Sequence, residues 1–269
     1  HTQITLQTRH QKILIFLFVS IIAQACSRPE NNSSQNHSLN SHPTNTIEQR
    51  TAIVQLFDWP LLAIKAELCT LREQGFSHVH ISPIQKSNSA KDWWGRYQPD
   101  DLRVIDSPLG NFDDFKTMMA EAKKCQIQII ADVVLNHMAN FALNEEDLYY
   151  PLGCDRSRAY SWDDTKSCLY RPEHFHREEC ISNYGDHDAV LFGRICGAAP
   201  DRGLPDLKTG NASESYHPHV RQVVTSYLNM LYKFGVRGFR IDAAKHMSAE
   251  FISDAFSSCL LYTSDAADE

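Results

Sequence analysis

Between Ile53 and Ile241 the chain switches between short apolar runs and longer stretches whose apolar residues recur every three or four positions. Ile53-Val54-Gln55-Leu56-Phe57 reads as a strand, and Pro60 suits the first turn of a helix in which Leu61, Ile64, Leu68 and Leu71 fall at helical spacing. Gly75 ends that helix, and His78 to Ser82 alternates up to Pro83 as a second strand. A long loop from Ile84 to Gly110 leads to a helix over about Asn111 to Cys125, with Asp113 and Asp114 in the turn where the helix dipole favours acids. Ile127 to Leu135 is apolar almost throughout, as expected of a strand covered on both faces. The period is lost from Ala139 to Leu207, a stretch too long for a plain loop and therefore read as a small inserted domain. Pro218 opens a further helix, with Val220, Val223, Val224, Tyr227, Leu228, Leu231 and Phe234 as its apolar positions. Gly235 stops it, and Gly238 to Ile241 reads as a fourth strand. Strands and helices alternating at this spacing predict an α/β fold with a parallel sheet.

The totals narrow the partners rather than the fold. The chain has 269 residues, 42% of them apolar, and a net charge of -7, so it lacks the basic footprint of a nucleic-acid binder. Arg9, His10 and Lys12 precede the apolar run Ile13 to Ala25, too short to span a membrane comfortably, and Ala23-Gln24-Ala25 suits a signal-peptidase site. Residues 1–25 are therefore expected to be a signal peptide and 26–50 an Asn- and Ser-rich tether. Export follows, to a secreted, periplasmic or surface-anchored location, with Cys26 a candidate for a lipid. An exported chain can keep disulfides among its eight cysteines. His174-x-His176 with Cys180 is too irregular in spacing to be read as a zinc site.

Polar groups gather where two strands end. Asp132-Val133-Val134-Leu135-Asn136-His137 closes the third strand, and Arg240-Ile241-Asp242-Ala243-Ala244-Lys245-His246 closes the fourth. That end of a parallel sheet is where ligands bind. Arg240 and Asp242 are two apart on a strand and so share a face, and a guanidinium there keeps a carboxylate charged, as suits a nucleophile. With Leu204-Pro205-Asp206-Leu207 between them, the motifs DVVLNH, LPDL and GFRIDAAKH resemble, in order and spacing, the α-amylase family of glycoside hydrolases. Trp93-Trp94-Gly95-Arg96-Tyr97-Gln98-Pro99 is most similar to the animal-type members and their bacterial relatives.

The resemblance implies a (β/α)8 barrel of which this chain holds the first four strands: 51–138 the first part of the barrel, 139–207 an inserted domain, and 208–256 the third helix and fourth strand. Residues 257–269 match nothing expected after that strand and read as a non-native tail on a fragment. Function by resemblance is endo-acting hydrolysis of α-1,4 bonds in starch or glycogen by a retaining mechanism, carried out by a monomer on an α-glucan. The alternative is an inactive relative serving as a glucan-binding module. Asp242 is the implied nucleophile and Arg240 its orienting group; the acid/base Glu of the family belongs to a fifth strand that these residues do not include. Tyr97, Gln98, His137, Lys245, His246, Trp93 and Trp94 are the implied sugar contacts. A structural calcium is implied on Asn136, Asp206 and the backbone carbonyls of His246 and Arg194. Animal-type members imply a Cys69–Cys125 bridge; Cys154–Cys168 and Cys180–Cys196 are the expected pairs within the insert, although sequence leaves the other pairings of those four open.

Overall fold

Four strands lie side by side and parallel, in the sheet as in the sequence: β1 (Ile53–Leu56), β2 (His78–Ile81), β3 (Gln128–Val134) and β4 (Gly238–Asp242). The computed structural model describes residues 5–8, 11–14, 23–24, 51–140, 154–198, 200–210 and 214–261, with backbone alone at 5–8, 11–14, 23–24 and 258–261. Ala23–Gln24 pairs antiparallel with the outer edge of β4. The rest of the expected leader and tether lies outside the described residues, apart from a hairpin of Thr5–Thr8 and Gln11–Leu14.

Helices connect the strands, as the apolar spacing predicts. Helix α1 (Leu61–Glu73) buries Leu61, Ile64, Leu68 and Leu71. Helix α2 (Phe112–Lys124) starts one residue later than expected because Asn111 is its cap: the Asn111 side chain accepts from the Asp113 and Asp114 N–H groups, and the Asp114 carboxylate accepts from the Asn111 N–H. Within the irregular stretch, the described residues include a short α-helix, α3 (His187–Phe192). Helix α4 (Pro218–Lys233) buries Val220, Val223, Val224, Tyr227, Leu228 and Leu231. Phe234, counted with that apolar face, lies just past the helix end and is 38% exposed. Helix α5 (Ala249–Leu261), which no Gly or Pro interrupts, runs into the segment expected as a separate tail; residues 262–269 lie outside the described residues.

The core lies between these helices and the sheet, and both faces of β3 are covered: Ile129 to Val134 are all buried. Each of the first three apolar runs extends one residue past its strand, because Phe57, Ser82 and Leu135 sit where the chain leaves the sheet. Among the described residues three disulfides form, Cys69–Cys125 between α1 and the end of α2, then Cys154–Cys168 and Cys180–Cys196 in the irregular stretch. Gly203, at φ +74°, passes so close to Cys196 that a Cβ there would collide with its sulfur. The buried Arg103 guanidinium ties the loop after β2 to this stretch, donating to Asp101 and to the carbonyls of Ser161, Asp164 and Ser167.

Candidate active site

Register brings the charged groups together. β3 and β4 pair with Asp132 opposite Arg240 and Val134 opposite Asp242, so all three charged side chains emerge on one face at the C-terminal ends of the strands. Arg240 Nη1 donates to both oxygens of Asp132 at 3.0 Å and to Asp242 Oδ1 at 2.7 Å. Tyr97 adds its hydroxyl, which donates to Asp132 Oδ2 at 2.8 Å. Asp132 is 1% exposed, and burial pushes its carboxyl up to about 7 against the pull of Arg240, with Asp242 adding to the push. Burial likewise raises the Tyr97 hydroxyl, again helped by Asp132, so it stays a donor at neutral pH.

Tyr97 is aimed by the loop that carries it. Trp93–Tyr97 forms a single 3-10 turn, held from beneath by the buried Arg96, whose guanidinium donates to the Asn88 and Ala90 carbonyls. Gly95 allows the packing: a Cβ there would come within 3.1 Å of those same two carbonyl oxygens. Phe57 leaves the end of β1 to join Trp93 and Tyr97, with ring centroids 5.9 to 6.4 Å apart, in an aromatic cluster beside the charged groups. Trp93 is 54% and Trp94 41% exposed, as open platforms would be.

His137 stands behind this cluster, 3% exposed, with Nε2 on the Tyr97 carbonyl at 2.9 Å. The carbonyl accepts, so Nε2 carries the proton and the buried, unpartnered Nδ1 is an acceptor. Burial keeps the ring neutral by lowering its proton affinity. The Lys245 ammonium, which follows Asp242 by three residues, lies 4.9 Å from the centre of the exposed Tyr184 ring.

Comparison with known proteins agrees with this geometry. The family model for the α-amylase catalytic domain matches residues 61–258. The chain belongs to the α-amylase family. It is 39% identical over 214 residues to an α-amylase of Aeromonas hydrophila, covering 76% of this chain and 44% of that protein. It is 33% identical to rat pancreatic α-amylase, covering 75% and 38%. Among solved structures it is similar to α-amylase I of Eisenia fetida, with a TM-score of 0.63 and 27% identity over 79% of this chain and 41% of that one. The chain thus spans less than half the length of the relatives it matches.

Of the sugar contacts implied by resemblance to the α-amylases, Tyr97 touches the charged trio directly and Trp93 packs against its ring, while Trp94 and Lys245 are exposed. Gln98 accepts from the Asn88 side chain at 3.0 Å and braces the loop. The His246 ring is buried, with Nδ1 on the Val190 carbonyl at 3.0 Å, so it anchors α3.

Two of the implied cation ligands, Asn136 and Asp206, meet. Asn136 donates from Nδ2 to Asp206 Oδ1 at 2.8 Å, across 70 residues of sequence, and its own Oδ1 is buried without a partner. Burial pushes the Asp206 carboxyl up to about 6, although His176 Nδ1 lies 2.6 Å from its other oxygen. An orphaned oxygen beside a buried carboxylate is an environment a hard cation satisfies. The Arg194 carbonyl accepts from the Ile181 N–H at 3.1 Å.

Sequence reasoning missed three contributors. Asp132 was visible as the opening residue of its motif, yet only register shows that it holds Arg240. Phe57 and Tyr184 looked like ordinary aromatic residues, and nothing in their local pattern marks them.

Proposed function

We propose that the protein to which this chain belongs is an exported, endo-acting α-amylase that cleaves α-1,4 bonds of starch or glycogen with retention at the anomeric carbon. The observation that carries this is the charged trio at the strand ends, with Asp242 held by an arginine that is itself fixed on the buried Asp132. Asp242 attacks the anomeric carbon and forms a glycosyl ester as the glycosidic C–O bond breaks. Arg240 keeps the carboxylate charged and aimed. The leaving oxygen takes its proton from a second carboxyl, about 5–5.5 Å from the nucleophile in retaining enzymes. Family resemblance assigns that group to a fifth strand.

Tyr97 offers an aromatic face to the sugar at the cleavage point, with Phe57, Trp93 and Trp94 extending the surface. His137 accepts a sugar hydroxyl at Nδ1, and Lys245 contacts the next sugar on the leaving side. In this reading the four parallel strands are the first half of a (β/α)8 barrel, and residues 139–207 are its inserted domain. A calcium ion on Asn136, Asp206 and the His246 and Arg194 carbonyls would tie that insert to the barrel, supplying positive charge for two buried oxygen groups. The chain acts as a monomer, and the disulfides fit an oxidising location.

Incubating the protein with end-blocked maltooligosaccharides and following product anomers by proton NMR tests the proposal. Internal cleavage with the α-anomer appearing first is expected. β-Anomer products, or no cleavage of blocked substrates, would refute it.

A further inference from the structure

His80 on β2 has no part in the site as described, yet its position is pointed. β2 pairs with β3 so that His80 is opposite Ile130, and β4 pairs so that Ile130 is opposite Gly238. Asp132 and Arg240 are each two residues further along, so His80 faces the same side as both. His80 Nε2 lies 3.9 Å from Asp132 Oδ2, is buried, and has no hydrogen-bond partner. A buried ring nitrogen left unpaired has lost its water without a replacement partner, which is unfavourable.

The charges around His80 are few. β3 presents Asp132, and β4 presents Arg240 and Asp242; on β1 the register places the neutral Gln55 opposite it. From the loop, Tyr97 reaches the same Asp132 oxygen that His80 faces. Two carboxylates thus share one guanidinium, and the buried one depends most on its hydrogen-bond donors.

We propose that His80 is a positioning residue for the nucleophile, acting through Asp132: its neutral ring supplies an Nε2–H to Asp132 Oδ2, supports that carboxylate as an anion, and so keeps Arg240 bridged to Asp242. At 3.9 Å the present contact is electrostatic, and a small rotation about χ2 converts it to a hydrogen bond. Burial, with Arg240 adding, pulls the ring down to about 4, so at neutral pH it serves as a donor and not as a charge. Asp132, raised to about 7, is the group whose charge is in play. Protonation of Asp132 removes one of the two anions that fix Arg240, and Asp242 loses its aim. As it concerns the nucleophile, this role rests on the glycosidase reading above.

Two substitutions separate donation from bulk. His80→Gln places an amide N–H near the former Nε2, whereas His80→Leu keeps volume and removes the donor. The Asp132 carboxyl is followed by 13C NMR against pH, assigned by its loss in Asp132→Asn, alongside kcat and KM on a chromogenic maltooligosaccharide. The Leu variant is expected to raise the Asp132 midpoint by about one pH unit, because a lost donor disfavours the anion. The acid limb of kcat should move the same way, with KM changed less than about threefold, as befits an interaction that aims the nucleophile. The Gln variant should restore both. An unmoved midpoint in the Leu variant, or a Gln variant displaced as far as Leu, overturns the proposal. A midpoint that shifts as expected in a protein that cleaves no glucan would sink the glycosidase reading and leave the His80–Asp132 contact standing.

Discussion

Chelating calcium should expose a pH-dependent contribution of Asp206 to the stability of this protein. Its carboxylate is 1% exposed, and burial raises it from 3.8 to about 6. A carboxyl raised in the folded state is bound to its proton more tightly there than in the unfolded chain, so its burden on stability is absent at low pH. That burden grows as pH rises through the ordinary value and is complete above about 6. At about 1.36 kcal/mol per pH unit, the buried charge costs roughly 3 kcal/mol at pH 7.5. For a domain of this size that corresponds to about 6–12 °C in melting temperature. A cation on Asp206 and Asn136 removes the penalty and competes with the proton, so its stabilising effect should be large at pH 7.5 and small at pH 5. Thermal melts at pH 5, 6, 7 and 8, with chelator or with excess calcium, would be run on wild type and Asp206→Asn. Between pH 5 and pH 8 the chelated wild type should lose more stability than the Asn variant, which should lack both the Asp206 slope and most of the calcium effect. If calcium shifts the melt equally at pH 5 and pH 8, or equally in Asp206→Asn, the reasoning is refuted.

Other expectations follow from the same geometry. Asp242→Asn should lower kcat on starch by several orders of magnitude while oligosaccharide binding by calorimetry persists; near-normal turnover would remove Asp242 from the mechanism. Arg240→Leu strands the buried Asp132 without its cation and should cost about 3–5 kcal/mol in urea unfolding, with Arg240→Lys milder. Replacing Cys69 and Cys125 together by Ser opens a loop spanning 56 residues and should cost about 4 kcal/mol, read as a lower urea midpoint in the absence of reductant.

Local pattern was enough for the elements. Leu61, Ile64, Leu68 and Leu71 could only bury together on a helix, and the β3 run could only be covered on both faces, so helix, strand and parallel order were legible before any coordinates. Two motif ends and an Arg-x-Asp spacing likewise exposed Asp242 and Arg240, because side chains two apart on a strand must share a face. Boundaries depended on single side chains, as where Asn111 caps α2 instead of entering it. What remained closed was everything decided between segments. Arg240 is held by Asp132 from 108 residues away, because β3 and β4 pair in one register and no other. His176, which has the look of half a metal motif in sequence, braces Asp206 instead, and the His246 ring reaches the Val190 carbonyl on α3. Periodicity fixes which way a residue faces within its own element; only the packing of one element on another decides which buried polar group meets which partner.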